Sequence, residues 1–293
     1  MKKNNILVTG GAGFIGSHLC ERLAQDNKNK VYSIDNYLMG SATNHVPKVE
    51  YIEGCVSNIN KLVSFKPDII YHLGEYSRVE QSFKDISIVW ESNMIGTFNV
   101  LEFVRKSCSK IVYAGSSTKF GDGGLGRFAS PYAWTKASNT DLVINYGKWF
   151  NIPYAITYFY NVYGPREIRD GEYATVVAKF TKLMQEQKTL TVVSPGTQER
   201  NFTHVYDIID GLILIGKNAI GDEFGIGNRE VYSILDLAKL FGGKIEIIPE
   251  REGNRMTADL ITQKTENLGW KSKYDLKSYI SKLKEKNWNV DEI

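Results

Sequence analysis

A chain of 293 residues is long enough for one large α/β domain or two modest ones. Its balance of 42% hydrophobic and 24% charged residues excludes a disordered or fibrous protein, and a net charge of +3 is too small to imply nucleic acid or an anionic membrane as partner. Cys20, Cys55 and Cys108 are odd in number and widely spaced, and His18, His45, His72 and His204 show no ligand spacing, which argues against a disulfide framework and a metal site and for a reduced, cytoplasmic compartment.

The start, Met1-Lys2-Lys3-Asn4-Asn5, leads directly into the first strand and reads as leaving no room for a signal peptide. The longest apolar stretch, Leu212-Ile213-Leu214-Ile215, is far too short to span a bilayer. Ile6-Leu7-Val8 reads as a buried parallel strand. Thr9-Gly10-Gly11-Ala12-Gly13-Phe14-Ile15-Gly16 follows it and opens a helix with apolar residues at helical spacing. Strand, glycine turn and helix start together make a phosphate site, because the glycines admit the anion and the helix offers free N–H groups. Val31 to Asp35 is the next strand, and it ends on a carboxylate nineteen residues after Gly16. A doubly wound fold places there the acid that accepts hydrogen bonds from an adenosine ribose, and its charge disfavours a 2′-phosphate.

Val49 to Ile52 and Pro67 to Leu73 are predicted as the third and fourth strands, the latter followed by Gly74. Ile86 to Lys106 reads as one long helix carrying Asn93 and Gly96. Lys110 to Ala114 is a fifth strand running into Gly115-Ser116-Ser117-Thr118, Pro131 to Phe150 a second long helix, and Tyr154 to Tyr158 a sixth strand. This alternation predicts an open, doubly wound parallel sheet of Rossmann type, with ligands beyond the carboxyl ends of the strands. The second half reads as a smaller α/β lobe: helices over Thr175–Glu186, over Val205–Ile215 and after Ser233, and strands at Leu190–Val193, Glu223–Ile226 and Ile245–Ile248. The expected division is 1–165 for the cofactor domain and 166–293 for the substrate lobe, interleaved around 200–218. The mixed-sign run Lys282-Leu283-Lys284-Glu285-Lys286 reads as a solvated helix face.

Tyr132-Ala133-Trp134-Thr135-Lys136 puts a phenol and an ammonium at i and i+4, on one helix face. A free phenol, with a pKa of about 10, is a poor base at neutral pH; a cation one turn away stabilises the phenolate. The pair then suits proton removal from a sugar or alcohol hydroxyl, with Ser116 able to bond the same oxygen.

These stretches together resemble the extended short-chain dehydrogenase/reductases, the NAD-dependent epimerase/dehydratase group acting on nucleotide sugars. The likeness runs from Thr9 to about Asp259 and includes Ile34-Asp35-Asn36, Tyr71-His72-Leu73, Asn93-Met94-Ile95-Gly96-Thr97, Asn161-Val162-Tyr163-Gly164-Pro165 and Arg200-Asn201-Phe202-Thr203-His204-Val205. The resemblance implies NAD as cofactor, held by Gly10, Gly13, Phe14, Ile15, Gly16, Asp35, Asn36, Leu73, Gly74, Asn93, Tyr132 and Lys136. It implies Ser116, Tyr132 and Lys136 as the catalytic residues. It implies a nucleotide-sugar substrate on Ser116, Ser117, Asn161, Thr175, Val176, Arg200, Arg251 and Asn254, two arginines being suited to forked binding of a diphosphate. It also implies a homodimer through the two long helices, with Phe98, Leu101, Leu142 and Tyr146 as candidates that serve equally well as core.

Several positions depart from the family pattern. Cys55 stands where an aspartate usually meets the adenine amino group, Tyr158 where an arginine is common, and Asn254 where an aspartate commonly holds the nucleotide ribose. Gly74-Glu75-Tyr76 replaces a run of small residues, so Glu75 brings a carboxylate near the nicotinamide; tuning the site, meeting substrate and facing solvent are all open readings. Lys119 reads as a surface residue. Dehydratases of the group carry Asp-Glu after the serine, and decarboxylases a glutamate at the second of these positions; here Ser117 and Thr118 do neither job. The simplest expectation is a 4-epimerase of a UDP-hexose or its N-acetyl form. A 2-epimerase, a ketoreductase or dehydratase, and a non-catalytic NAD-binding protein are the alternatives.

Overall fold

The computed structural model describes residues 3–250, 256–257 and 259–293. Its centre is a seven-stranded sheet. Six strands come from the first half: β1 (Asn4–Thr9), β2 (Asn29–Asp35), β3 (Val49–Glu53), β4 (Ile69–His72), β5 (Lys110–Ser116) and β6 (Tyr154–Phe159). The seventh, Gly221–Ile226, comes from the second half. Every neighbour pair is parallel, and the spatial order is seventh strand, β6, β5, β4, β1, β2, β3. Succession reverses between β1 and β4, so the loops after these strands part there and leave a crevice at their carboxyl ends.

Side-chain alternation explains why the strands read as unbroken apolar runs. Ile6 and Val8 enter one core with Leu19, Leu23, Ile208 and Leu212, while Leu7 enters another with Ile70, Val100, Leu101 and Val143. Helices Phe14–Ala24 and Val205–Asn218 therefore cover one face, and Gly96–Ser107 and Pro131–Phe150 the other. From the second half, helix Val205–Asn218 and strand Gly221–Ile226 return to the sheet. The smaller lobe has a core of its own, with Phe180, Leu190, Val192, Leu237, Phe241 and Leu283 buried together. There Leu190–Val193 pairs in parallel with Ile245–Ile248, and Glu199–Asn201 antiparallel with Val231–Ser233. The mixed-sign tail belongs to helix Leu276–Glu285, with Lys282 and Lys284 exposed and Leu283 fully buried.

One predicted element needs correction. Ile86 to Lys106 is not a single regular helix: α-helix Ile86–Val89 passes into a π-helical turn, Trp90–Ile95, before the α-helix Gly96–Ser107. Asn93 sits in that turn, fully buried. Its Oδ1 accepts from the Tyr76 N–H at 2.7 Å, and its Nδ2 donates to Tyr76 O at 3.3 Å and Thr135 Oγ1 at 3.0 Å. The widened turn lets one side chain satisfy the backbone of the segment leaving β4.

Candidate active site

The loop after β1 is shaped by close approach. Gly10 has φ of +75°, and a Cβ there would lie 2.9 Å from the Gly74 Cα; a Cβ on Gly16 would lie 2.0 Å from the Gly10 carbonyl oxygen. Neither position admits a side chain. Gly13 caps helix Phe14–Ala24 without a side-chain hydrogen bond, so the first-turn N–H groups stay available for an anion. Asp35, buried at the end of β2, accepts from the Ala12 N–H at 2.9 Å and the Tyr37 N–H at 2.8 Å. It is both the anchor of the glycine loop and a wall of the crevice, where its remaining lone pairs suit ribose hydroxyls. Asn36 and Cys55 line the same end. A glycine cradle at a helix start, with a carboxylate beside it, fits a dinucleotide.

The crevice is one continuous cavity of about 600 Å³ reaching from this loop to Arg200, within the size of small-molecule sites. At its middle, Ser116 ends β5, and Tyr132 and Lys136 descend from helix Pro131–Phe150, whose start is capped by Ser130 Oγ accepting from the Ala133 N–H at 3.0 Å. The Tyr132 hydroxyl donates to Ser116 Oγ at 3.1 Å, and Thr118 Oγ1 donates to the same oxygen at 2.9 Å. Lys136 is buried and donates to Glu75 Oε2 and to the Ala114 carbonyl. Glu75 has a side chain only 2% exposed. Burial alone pushes its carboxyl up, but the Lys136 ammonium and the hydrogen bonds from Lys136 and Thr97 hold it below the ordinary carboxylate range. Of the three open readings of Glu75, the one facing solvent is excluded.

Most of the residues expected in the site line this cavity: Gly10, Gly13, Phe14, Ile15, Gly16, Asp35, Asn36, Leu73, Gly74, Ser116, Ser117, Tyr132, Lys136, Asn161, Thr175 and Arg200. Two do not. Asn93 spends its amide on Tyr76 and Thr135, and Val176 begins helix Val176–Gln185 behind Thr175. Arg251 and Asn254 lie outside the described residues. Lys119 is not a surface residue: it is only 20% exposed and pairs at 3.4 Å with Asp222 of the seventh strand, which also accepts from Tyr158 at 2.7 Å. Sequence reasoning missed Arg78, which lines the cavity and is braced by neutral groups, its Nε on Tyr173 O at 2.6 Å and its Nη1 on Ser77 O and Oγ. The one signal was its place three residues after Glu75, in the segment that departs from the family's small residues. Thr118 was discounted as an acid or base, and its contact with Ser116 was not foreseen.

The model of the NAD dependent epimerase/dehydratase family matches residues 6–227, which span the sheet and the crevice. The chain belongs to this family. Over 97% of both chains it is 31% identical to a putative UDP-glucose 4-epimerase of Methanocaldococcus jannaschii. It is also 31% identical to UDP-glucuronic acid decarboxylase 5 of Arabidopsis thaliana, over 96% of this chain and 88% of that one. The UDP-glucose 4-epimerase of Thermotoga maritima, solved with UDP-glucose, superposes with a TM-score of 0.88 at 24% identity, covering 97% of this chain and all of that one. Relatives in this family are nucleotide-sugar epimerases, decarboxylases and dehydratases, and the cofactor is NAD. Among the described residues no helix is long and apolar enough to cross a membrane, and no cluster of His, Cys, Asp or Glu could hold a metal ion.

Proposed function

We propose that this family member is an NAD-dependent 4-epimerase of a nucleotide sugar, with a UDP-hexose or its N-acetyl form as substrate. The observation that carries the reading is the chemistry around Ser116 and Tyr132. Ser117 and Thr118 are neutral, Glu75 is committed to Lys136, and Asp35 to the glycine loop; Glu80, the remaining acid lining the cavity among the described residues, is solvent-exposed. Among the described residues, none of these carboxyls is placed beside the Tyr132–Ser116 pair to drive elimination or decarboxylation. The two relatives quoted at 31% do not discriminate between epimerase and decarboxylase by identity; the neutral side chains after Ser116 favour the epimerase. When bound, NAD supplies the acceptor and donor of a hydride. Tyr132 removes the proton of the 4-hydroxyl and later returns it, and Ser116 holds the same oxygen. Arg78 and Arg200 supply cations toward the diphosphate, with Asn161 and Thr175 beside them.

A homodimer through the two long helices completes the reading. Among the four residues expected there, Leu101 and Tyr146 are core. What supports the pairing is the exposure of Phe98, the third of them, and of Trp90 and Trp149 on the same two segments, with Trp90 stacked on Trp134 at 5.8 Å.

The test is to incubate the purified protein with UDP-glucose, UDP-galactose and their N-acetyl forms without added cofactor and to follow interconversion. Interconversion of one pair is the expected result. No turnover of any of them overturns the epimerase, and turnover that needs added NADH or NADPH turns the reading to a reductase.

A further inference from the structure

Glu75 is the end of a directed chain of buried hydrogen bonds. The N–H groups of Leu73 and Gly74 donate to Thr9 Oγ1 at 3.1 and 2.9 Å. The Thr9 hydroxyl thus has its own proton left for His72 Nδ1, 2.7 Å away. That makes Nδ1 an acceptor and leaves the proton of His72 on Nε2, which donates to Thr97 Oγ1 at 2.9 Å. The Thr97 hydroxyl in turn donates to Glu75 Oε1 at 2.8 Å. A neutral His72 is required throughout, and burial pushes it down to about 4. Asn139 Nδ2 at 2.7 Å and the Tyr113 hydroxyl at 3.2 Å converge on the same Glu75 oxygen, and Lys136 takes the other. Thr9, the last residue of β1 before the glycine loop, is thereby joined to the lysine through three side chains, His72, Thr97 and Glu75.

Such an arrangement is a poor stability device. Removing a carboxylate and an ammonium from water costs several kcal/mol per ion, and apolar residues of the same volume often serve as well. What the pair does supply is place. An ammonium has three N–H donors; Glu75 and the Ala114 carbonyl take two, which leaves one for the cofactor or Tyr132. The geometry points to Glu75 as the positioning residue of Lys136, fixing its ammonium beside Tyr132 by a carboxylate anchored on β1, β4, β5 and both long helices. The assignment rests on the reading of Lys136 as part of the active site given above.

Glu75→Gln tests it. The amide keeps an oxygen for Thr97, Tyr113 and Asn139 but puts an NH2 against the ammonium. The expected result is a kcat lower by about 100-fold, the scale of a displacement near 1 Å, with KM for the sugar within about twofold. Glu75→Asp keeps the charge, withdraws it by one methylene, and lowers kcat with the fold retained. A melting cycle reads the pair without any substrate. Lys136→Met strands a buried carboxylate and lowers Tm; adding Glu75→Gln to it raises Tm again. An unchanged kcat in Glu75→Gln, or melting effects that simply add, overturns the assignment. If the parent protein turns over no nucleotide sugar, it is the proposed function that fails, and the melting cycle still decides the Glu75–Lys136 pairing.

Discussion

Tyr132 and Ser116 meet at 3.1 Å across the gap between helix Pro131–Phe150 and the end of β5. A donor from Thr118 on the same Ser116 oxygen fixes which way the serine hydroxyl faces. Tyr132→Phe removes the hydroxyl proposed as proton acceptor and keeps the ring. Turnover is expected to fall by roughly 10²–10⁴-fold, the usual worth of a positioned acid–base group, with NAD retained. Ser116→Ala removes the hydroxyl proposed to hold the reacting oxygen and is expected to cost about 10- to 100-fold. Single-turnover interconversion, with NAD content measured on the same samples, checks both. A Tyr132→Phe protein as fast as its parent removes tyrosine from the role of base.

One Asp35 carboxylate holds the Ala12 N–H and lines the crevice where an adenosine ribose is proposed to sit. Asp35→Ala leaves the Ala12 N–H without its partner in a buried loop, a loss of about 1–3 kcal/mol. It also removes the negative charge that opposes a 2′-phosphate. The expected outcome is a lower urea midpoint, weaker NAD binding, and a ratio of NAD to NADP affinity that moves toward one. Urea unfolding and titration with the two dinucleotides check this; a variant that keeps its preference for NAD shows that the preference lies elsewhere.

The sequence carried what depends on local pattern. Unbroken apolar runs marked the parallel strands, the glycine spacing marked the phosphate loop, and Tyr132 with Lys136 at i and i+4 marked one helix face. What it did not carry depends on partners distant in the chain. Glu75 meets Thr97, Tyr113, Lys136 and Asn139, which come from two helices and a strand up to 64 residues away. Asn93 matches a family motif, yet its side chain serves the backbone of Tyr76 rather than the crevice, and that service goes with the π-helical turn that periodicity missed. Leu101 and Tyr146 fit a helix surface by spacing, while the second core lies against them.

The exposed aromatics on the two long helices give a prediction about assembly. Trp149 is 63% exposed and Phe98 46%, high values for rings of this size. If two copies pair there, Phe98→Glu or Trp149→Glu places a charge in a desolvated contact and shifts the protein toward monomer. Sedimentation velocity over a range of concentrations reads the change. A parent that sediments as a monomer at all concentrations removes the pairing.

Glu167 gives a prediction about pH. It is buried, and Thr175 Oγ1 donates to its Oε1 and the Gly164 N–H to its Oε2 at 2.9 Å. Burial pushes its carboxyl up to about 7, against those two hydrogen bonds and the cations Arg78 and Arg169. In the unfolded chain the group has its ordinary value of 4.5. Between these values the folded state binds the extra proton, so stability falls as pH rises from about 4.5 through 7. From pH 5 to pH 8 the loss from this one group is roughly 2–3 kcal/mol. Glu167→Gln keeps one acceptor, for the Gly164 N–H, turns its NH2 toward the Thr175 oxygen, which can accept from it, and has no proton to lose. Its urea unfolding free energy is therefore expected to decline less than the parent's between pH 5 and pH 8, by about that amount. Equal declines in the two proteins locate the pH sensitivity in another group.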